Sequence, residues 1–159
     1  MIKFMIVDGK KLAAEILKGV RRERKRIKKP LRLAAILVGD DPGSLHFLRQ
    51  KEKACRDVGI GFRLMRFSSS ISRSRLVDRV KAVVKDRGVT GVIIQLPLPK
   101  RLGDPGDILN LIPSAKDPDV LGAEAFGYFA LRDREKDRKV YRKVQGQVPR
   151  KVHRKVRPP

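Results

Sequence analysis

The sequence predicts an α/β fold: a three-layer domain with a mostly parallel sheet flanked by helices, followed by a basic tail. Three observations lead there. Short β-branched or continuous apolar runs of strand length occur at Leu33–Val38 and Val92–Ile94. Stretches with apolar residues at helical spacing alternate with them, namely Leu12, Ile16 and Val20, then Leu76, Val80 and Val83 or Val84. Alternating strands and helices favour parallel pairing with helices on both faces. Beyond residue 130 this pattern stops and cations take over.

In chain order, Met5–Val7 is a short strand, and VDGKKLAAEILKGV opens a first helix that ends in Arg21–Lys29, RRERKRIKK. Cations at the end of a helix suit its dipole, and their long stems can cover apolar surface. Leu33–Val38 is the next strand, and Gly39, Asp40, Asp41, Pro42 and Gly43 turn the chain. Ser44 is the expected cap of a helix over Leu45–Val58. Phe62–Phe67 alternates loosely as a strand, Ser72–Arg87 is a helix with Ser72 as its cap, and Val92–Ile94 is a strand. That strand ends in Gln95 and a stiff Pro97/Pro99 loop. Ile108–Leu111 forms a short helical turn.

Length and composition bound the rest. The 159 residues and 41% hydrophobic content suit one domain with a single core. Residues 131–159 hold twelve Lys/Arg against three Asp/Glu, and residues 1–130 hold 27 against 14, so the net +22 divides into about +9 and +13. The tail shows no sustained period and is expected to lack stable structure. It reads as a polyanion-binding arm, as a solvated tail, or as the out-of-frame end of a truncated gene. Two Tyr and no Trp leave little for base stacking. The single cysteine, Cys55, cannot form an internal disulfide and points to a reducing, cytoplasmic compartment. His46 and His153 are isolated, and no cluster has metal-ligand spacing. Ser68–Ser70 has no histidine partner for a triad. No apolar run is long enough for a membrane span, and MIKFMIVDGKK is too short and wrongly flanked for a secretory signal.

Chemistry concentrates in three segments. In GDDPGSLHFLRQKEKACRDVGI (Gly39–Ile60), Phe47 and Lys51 are four apart, so a ring and an amine share one helix face after a strand's carboxyl end, where open α/β sheets bind ligands. Taken by spacing alone, the pair reads first as a core contact beside a solvated charge. GVIIQLPLP (Gly91–Pro99) places Gln95 at a strand end, where an amide is often a loop anchor. IPSAKDPD (Ile112–Asp119) brings Asp117 and Asp119 together in what spacing alone describes as a surface turn.

In this order, the three segments resemble the signatures of the methylenetetrahydrofolate dehydrogenase/cyclohydrolase family, and the opening DGK resembles its start. The resemblance implies a tetrahydrofolate substrate for a catalytic domain over residues 1–130. It assigns Lys51 as general acid/base and Gln95 as the amide that bonds it and helps to set its protonation. It assigns Asp119 as pterin anchor, Phe47 as stacking wall, and Ser44 and Pro97 to substrate binding. It also implies NADP as hydride acceptor and a homodimer.

The chain departs from the family pattern in several places. Position 47 is Phe where the family has Tyr, which keeps the ring and loses the hydroxyl. After Asp119 the family's Gly, His-Pro pair and Asn give way to Val120, Gly122, Ala123 and Ala125, with Gly127 retained. The family's Rossmann domain, which carries most of the NADP site, has no counterpart, and no strand is followed by GxGxxG. Cyclohydrolase activity is therefore expected ahead of dehydrogenase activity. The rival is a non-catalytic, basic nucleic-acid-binding protein on the same fold.

Overall fold

The computed structural model describes residues 8–131. The chain divides into two units, Met1–Phe126 and Gly127–Pro159. The first holds a three-stranded, wholly parallel sheet in the order β2-β1-β3, built from β1 (Arg32–Val38), β2 (Gly61–Phe67) and β3 (Gly91–Ile94). Leu33 pairs with Phe62 on one side and Gly91 on the other; β1 and β2 run in step from Arg32/Gly61 to Val38/Phe67, while β3 starts opposite Leu33 and stops opposite Ile36. Helices α1 (Gly9–Arg26), α2 (Pro42–Val58) and α3 (Arg73–Lys85) precede or connect the strands; α4 (Gly106–Leu109) and α5 (Ala123–Leu131) follow. Of the second unit, Gly127–Leu131 is described, as the end of α5.

The alternation of β1 decides which helix covers which face. Ala35 and Leu37 pack with Ile93 and with Leu48 of α2. Ala34, Ile36 and Val38 point the other way, onto Leu76, Val80 and Val83 of α3 and onto Leu102, Ile108 and Ile112. A right-handed crossover out to β2 and a second one back past β1 to β3 require helices on opposite faces. Both strand faces are therefore buried, which is why β1 reads as an unbroken apolar run. Edge strand β2 instead alternates half-buried Phe62, Met65 and Phe67 with exposed Arg63 and Arg66, charges that discourage edge pairing.

The helix boundaries are set by local chemistry. Asp41, not Ser44, caps α2: its Oδ2 accepts from the Ser44 N–H at 2.7 Å, and Pro42 takes the first turn, where its missing N–H costs nothing. The helix thus starts three residues ahead of the expected Leu45, and Ser44 lies buried inside its first turn. At the other end Gly59 adopts φ 76°, and the Ile60 N–H returns to the Cys55 carbonyl at 2.8 Å, a left-handed cap that delivers the chain into β2. Ser72 does cap α3, which runs over Arg73–Lys85 and stops short of Arg87. The turn expected at Ile108–Leu111 is α4, two residues earlier.

The first helix departs from expectation in how it is held. Asp8 caps it, but none of its residues is buried, and Leu12, Ile16 and Val20 stay roughly half exposed. Its attachment to α2 is polar: Arg21 Nε donates to the Asp57 carbonyl at 2.8 Å and Arg24 Nε to the Gly59 carbonyl at 2.9 Å. Both carbonyls lie at the end of α2, where cations are favoured. The predicted strand Met5–Val7 and residues 132–159 of the expected tail lie outside the described residues; Leu131, assigned to that tail, ends α5.

Candidate functional site

On α2, Phe47, Lys51 and Cys55 follow one another at four-residue steps and share a face. On β3, Gly91 and Ile93 share the face turned to α2. The Gln95 N–H still bonds the Ile36 carbonyl at 2.8 Å, which extends that alternation and puts Gln95 on the same face. A helix returning from a parallel strand runs antiparallel to it. Phe47 and Gln95 therefore belong to the carboxyl edge of the sheet, and Lys51 lies further down.

Lys51 meets Asp119 there. Its Nζ lies 3.1 Å from Asp119 Oδ2, a contact between residues 68 apart in sequence. The two side chains are 37% and 36% exposed, so water reaches the pair and ligand atoms could too. A cavity of about 460 Å³ opens beside it, with Leu31, Leu33, Ile60, Ile93 and Pro118 among its apolar walls. Leu31–Leu33 and Thr90–Gly91 are where β1 and β3 begin. The Lys51–Asp119 pair thus sits at the amino-terminal end of the strands, not at the carboxyl end that spacing suggested. Lys51 comes nine positions after Pro42, and the helix carries it back across the sheet.

Phe47, Gln95, Pro97 and Ser44 do not line this cavity. Phe47 is 61% exposed, with the His46 ring edge-on at 6.4 Å. Gln95 makes no hydrogen bond to Lys51: its Nε2 donates to the Leu96 carbonyl at 2.8 Å, and its Oε1 is buried without a protein partner. A buried acceptor without a donor is costly in water-free surroundings and is ready for a ligand N–H or a lysine ammonium. Pro97 follows through a cis Leu96–Pro97 bond. Ser44 is buried in the first turn of α2, with its backbone N–H taken by Asp41.

Electrostatics separate the acids. The Ser44 backbone N–H, then its hydroxyl, hold the Asp41 carboxyl below the usual range. Burial pushes the Cys55 thiol up, and the nearby Lys51 charge partly opposes this. Cys55 lines the same cavity, a role that its place in an ordinary helical pattern did not announce. Among the described residues, no group of three or more His, Cys, Asp or Glu gathers as a metal site.

Residues 7–119 match the family model described as tetrahydrofolate dehydrogenase/cyclohydrolase, catalytic domain. The bifunctional protein FolD of Nitratiruptor sp. is 39% identical over 126 residues, which is 77% of this chain and 44% of the relative. Among solved structures, the bifunctional FolD of Campylobacter jejuni superposes with a TM-score of 0.71 at 33% identity, covering 78% of this chain and 45% of that one. The Trypanosoma brucei FolD structure, complexed with NADP cofactor and inhibitor, shares the fold with a TM-score of 0.76 at 23% identity, covering 91% and 53%. The chain spans about half the length of the curated relatives it matches. On the family match over residues 7–119, with these relatives beside it, the chain belongs to the tetrahydrofolate dehydrogenase/cyclohydrolase family.

Proposed function

We propose that this chain binds a reduced folate beside Lys51 and Asp119 and serves the hydrolytic half of the one-carbon interconversion, the opening of methenyl-tetrahydrofolate to the formyl form. The observation that carries this is the ion pair at the mouth of an apolar cavity, formed by two of the residues that the family pattern assigns to folate chemistry. A pterin is a flat ring with an aminopyrimidinone edge. Its two neighbouring N–H donors suit a carboxylate such as Asp119 in a paired, charge-assisted contact. Apolar walls such as Ile93 and Pro118 suit its faces.

In the reaction, the water oxygen adds to the methenyl carbon and one carbon–nitrogen bond opens; one of the two water protons passes to the departing nitrogen, and the other leaves to solvent as the hydroxyl becomes the formyl carbonyl and the charge of the methenyl cation is lost. In this reading Asp119 turns to the pterin as substrate enters, and the released Lys51 ammonium donates its proton to the departing nitrogen before the resulting amine takes one from the added water. The unpartnered Gln95 Oε1 gives the freed ammonium an acceptor on the same sheet face. Phe47 offers an exposed ring at the carboxyl edge against which the substrate can stack.

The described residues do not fit a nicotinamide dinucleotide. At the turn after β1, where a pyrophosphate would meet a helix N-terminus, Asp41 already occupies the cap and Asp40 adds a second carboxylate. Gly39-Asp40-Asp41-Pro42-Gly43 also lacks the glycine spacing of such a loop. No hydride step is therefore assigned to these residues.

Calorimetric titration with a tetrahydrofolate analogue tests the reading, followed by methenyl hydrolysis monitored by absorbance. Binding by the parent that weakens in Asp119→Ala supports it; a well-folded parent that binds no folate sinks it.

A second reading, polyanion contact, is favoured by one feature. Lys11, Lys18, Arg22 and Lys25 fall within one narrow arc of α1 and are exposed, a row of cations that a chain of phosphates could follow. Retention on heparin that drops when all four become Gln would support it. A cytoplasmic location accords with the unpaired Cys55, and no described helix is long and apolar enough to cross a membrane.

A further inference from the structure

The Asp117-Pro118-Asp119 run holds two carboxylates with opposite fates. Asp119 is presented to Lys51, whereas Asp117 is only 7% exposed, and its Oδ2 accepts the Gly122 N–H at 2.8 Å. That single bond closes a loop over residues 118–121, within which Asp119 sits. Both ends of the loop are tied to the body of the domain. On the upstream side, Lys116 Nζ donates to the carbonyls of Val84 and Asp86 at 2.8 and 2.9 Å, the end of α3, where a cation is favoured. Downstream, Asn110 Oδ1 accepts the Ala123 N–H at 2.8 Å.

Inside the loop the backbone is under strain. Val120 has φ 55°, a left-handed conformation that a β-branched residue resists. Such a conformation persists only where surrounding bonds over-determine it. The Asp117–Gly122 bond spans this residue and is the nearest restraint able to do so. Space is tight as well: a Cβ on Gly122 would come within 3.2 Å of Asp117 Oδ2 and 3.4 Å of the Leu109 carbonyl.

We propose that Asp117 is a positioning residue for the folate site: its buried carboxylate clamps the Pro118–Leu121 loop, holds Val120 left-handed, and so sets Asp119 within ion-pair reach of Lys51. The inference deepens the folate reading of the Lys51–Asp119 pair, but it concerns geometry that exists without any ligand. Lys116 and Asn110 anchor the flanks of the loop to the domain; Asp117 closes the loop itself.

The test is zero-length carbodiimide crosslinking of Lys51 to Asp119, with the yield of the joined peptide read by mass spectrometry and folding followed by circular dichroism. The parent should crosslink and Asp119→Asn should not. Asp117→Ala should lose at least threefold in yield while folded, and Asp117→Asn, whose amide oxygen can still accept the Gly122 N–H, should keep most of it. Adding Val120→Gly to Asp117→Ala should restore part of the yield, because the left-handed turn then needs no clamp. A merely structural role would lower melting temperature without this pattern of rescue. Parental yield in folded Asp117→Ala overturns the proposal, as does a parent that does not crosslink. If Asp117→Ala does not fold, Gly122→Ala crowds the same oxygen and should lower the yield; an unchanged yield there overturns the proposal equally. Failure of the parent to bind folate would remove the functional reading and leave the crosslinking result interpretable.

Discussion

Lys51 Nζ and Asp119 Oδ2 lie 3.1 Å apart, joining the middle of α2 to the loop after the 3₁₀ turn Ser114–Lys116. With both side chains more than one-third exposed, the pair contributes below about 1 kcal/mol to folding. On the proposed folate reading the pair serves ligand binding more than stability. Asp119→Asn should accordingly leave the melting temperature nearly unchanged and weaken folate-analogue binding at least tenfold, because one paired N–H contact is lost. Thermal denaturation and calorimetry on the same sample check both halves. A large drop in melting temperature with unchanged binding would make the pair a structural bridge.

Val120 stands where the family pattern has Gly, and its φ of 55° explains why glycine belongs there. Val120→Gly should stabilise the domain by about 1 kcal/mol, the cost of a left-handed L-residue less the extra chain entropy of glycine. Urea unfolding with an unchanged slope would show it.

The fold was legible in the sequence because burial on both faces leaves a plain mark. Leu33–Val38 reads as a buried strand, and Leu76, Val80 and Val83 or Val84 as one helix face; in the structure it is Leu76, Val80 and Val83 that meet Ala34, Ile36 and Val38. The cap of α2 was misplaced because Asp41 and Ser44 are both good capping residues; Pro42 at the first helical position decides for Asp41. Helix α1 shows a limit of periodicity: Leu12, Ile16 and Val20 have the right spacing, yet two arginine side chains hold the helix and the stripe stays half exposed. In the site, the partnership of Lys51 with Asp119 could not be read from spacing, since it depends on how α3 and β3 return the chain to α2. Cys55 as a cavity residue and Asp117 as a clamp were invisible for the same reason. The strained turn had one trace in the sequence, a Val in the place of Gly.

Phe47 keeps an aromatic ring at the carboxyl edge and lacks the hydroxyl of the family's Tyr. The ring is 61% exposed, so a hydroxyl added to it meets solvent rather than core. Phe47→Tyr should therefore leave stability within about 0.5 kcal/mol and raise the rate of methenyl hydrolysis by supplying a donor near the substrate. Rates for the two proteins at saturating substrate decide this; an equal or lower rate in Phe47→Tyr would place position 47 outside the reacting region.

Cys55 supplies a probe of the cavity and of pH. Its thiol is held above its ordinary value of 9.0 by burial, with Lys51 pulling the other way. It should therefore react with iodoacetamide more slowly than an exposed thiol at neutral pH, and Lys51→Ala should slow it further by removing the opposing charge. The sign for stability follows from linkage. Between the unfolded and folded values, the folded state keeps a proton that the unfolded chain has released, so stability is full below about pH 9 and declines as pH rises through that window. Cys55→Ser should reduce that alkaline decline. Because Cys55 lines the same cavity as Lys51 and Asp119, a bound folate analogue should protect it from alkylation. Alkylation that proceeds at the same rate with and without bound analogue would place the ligand elsewhere.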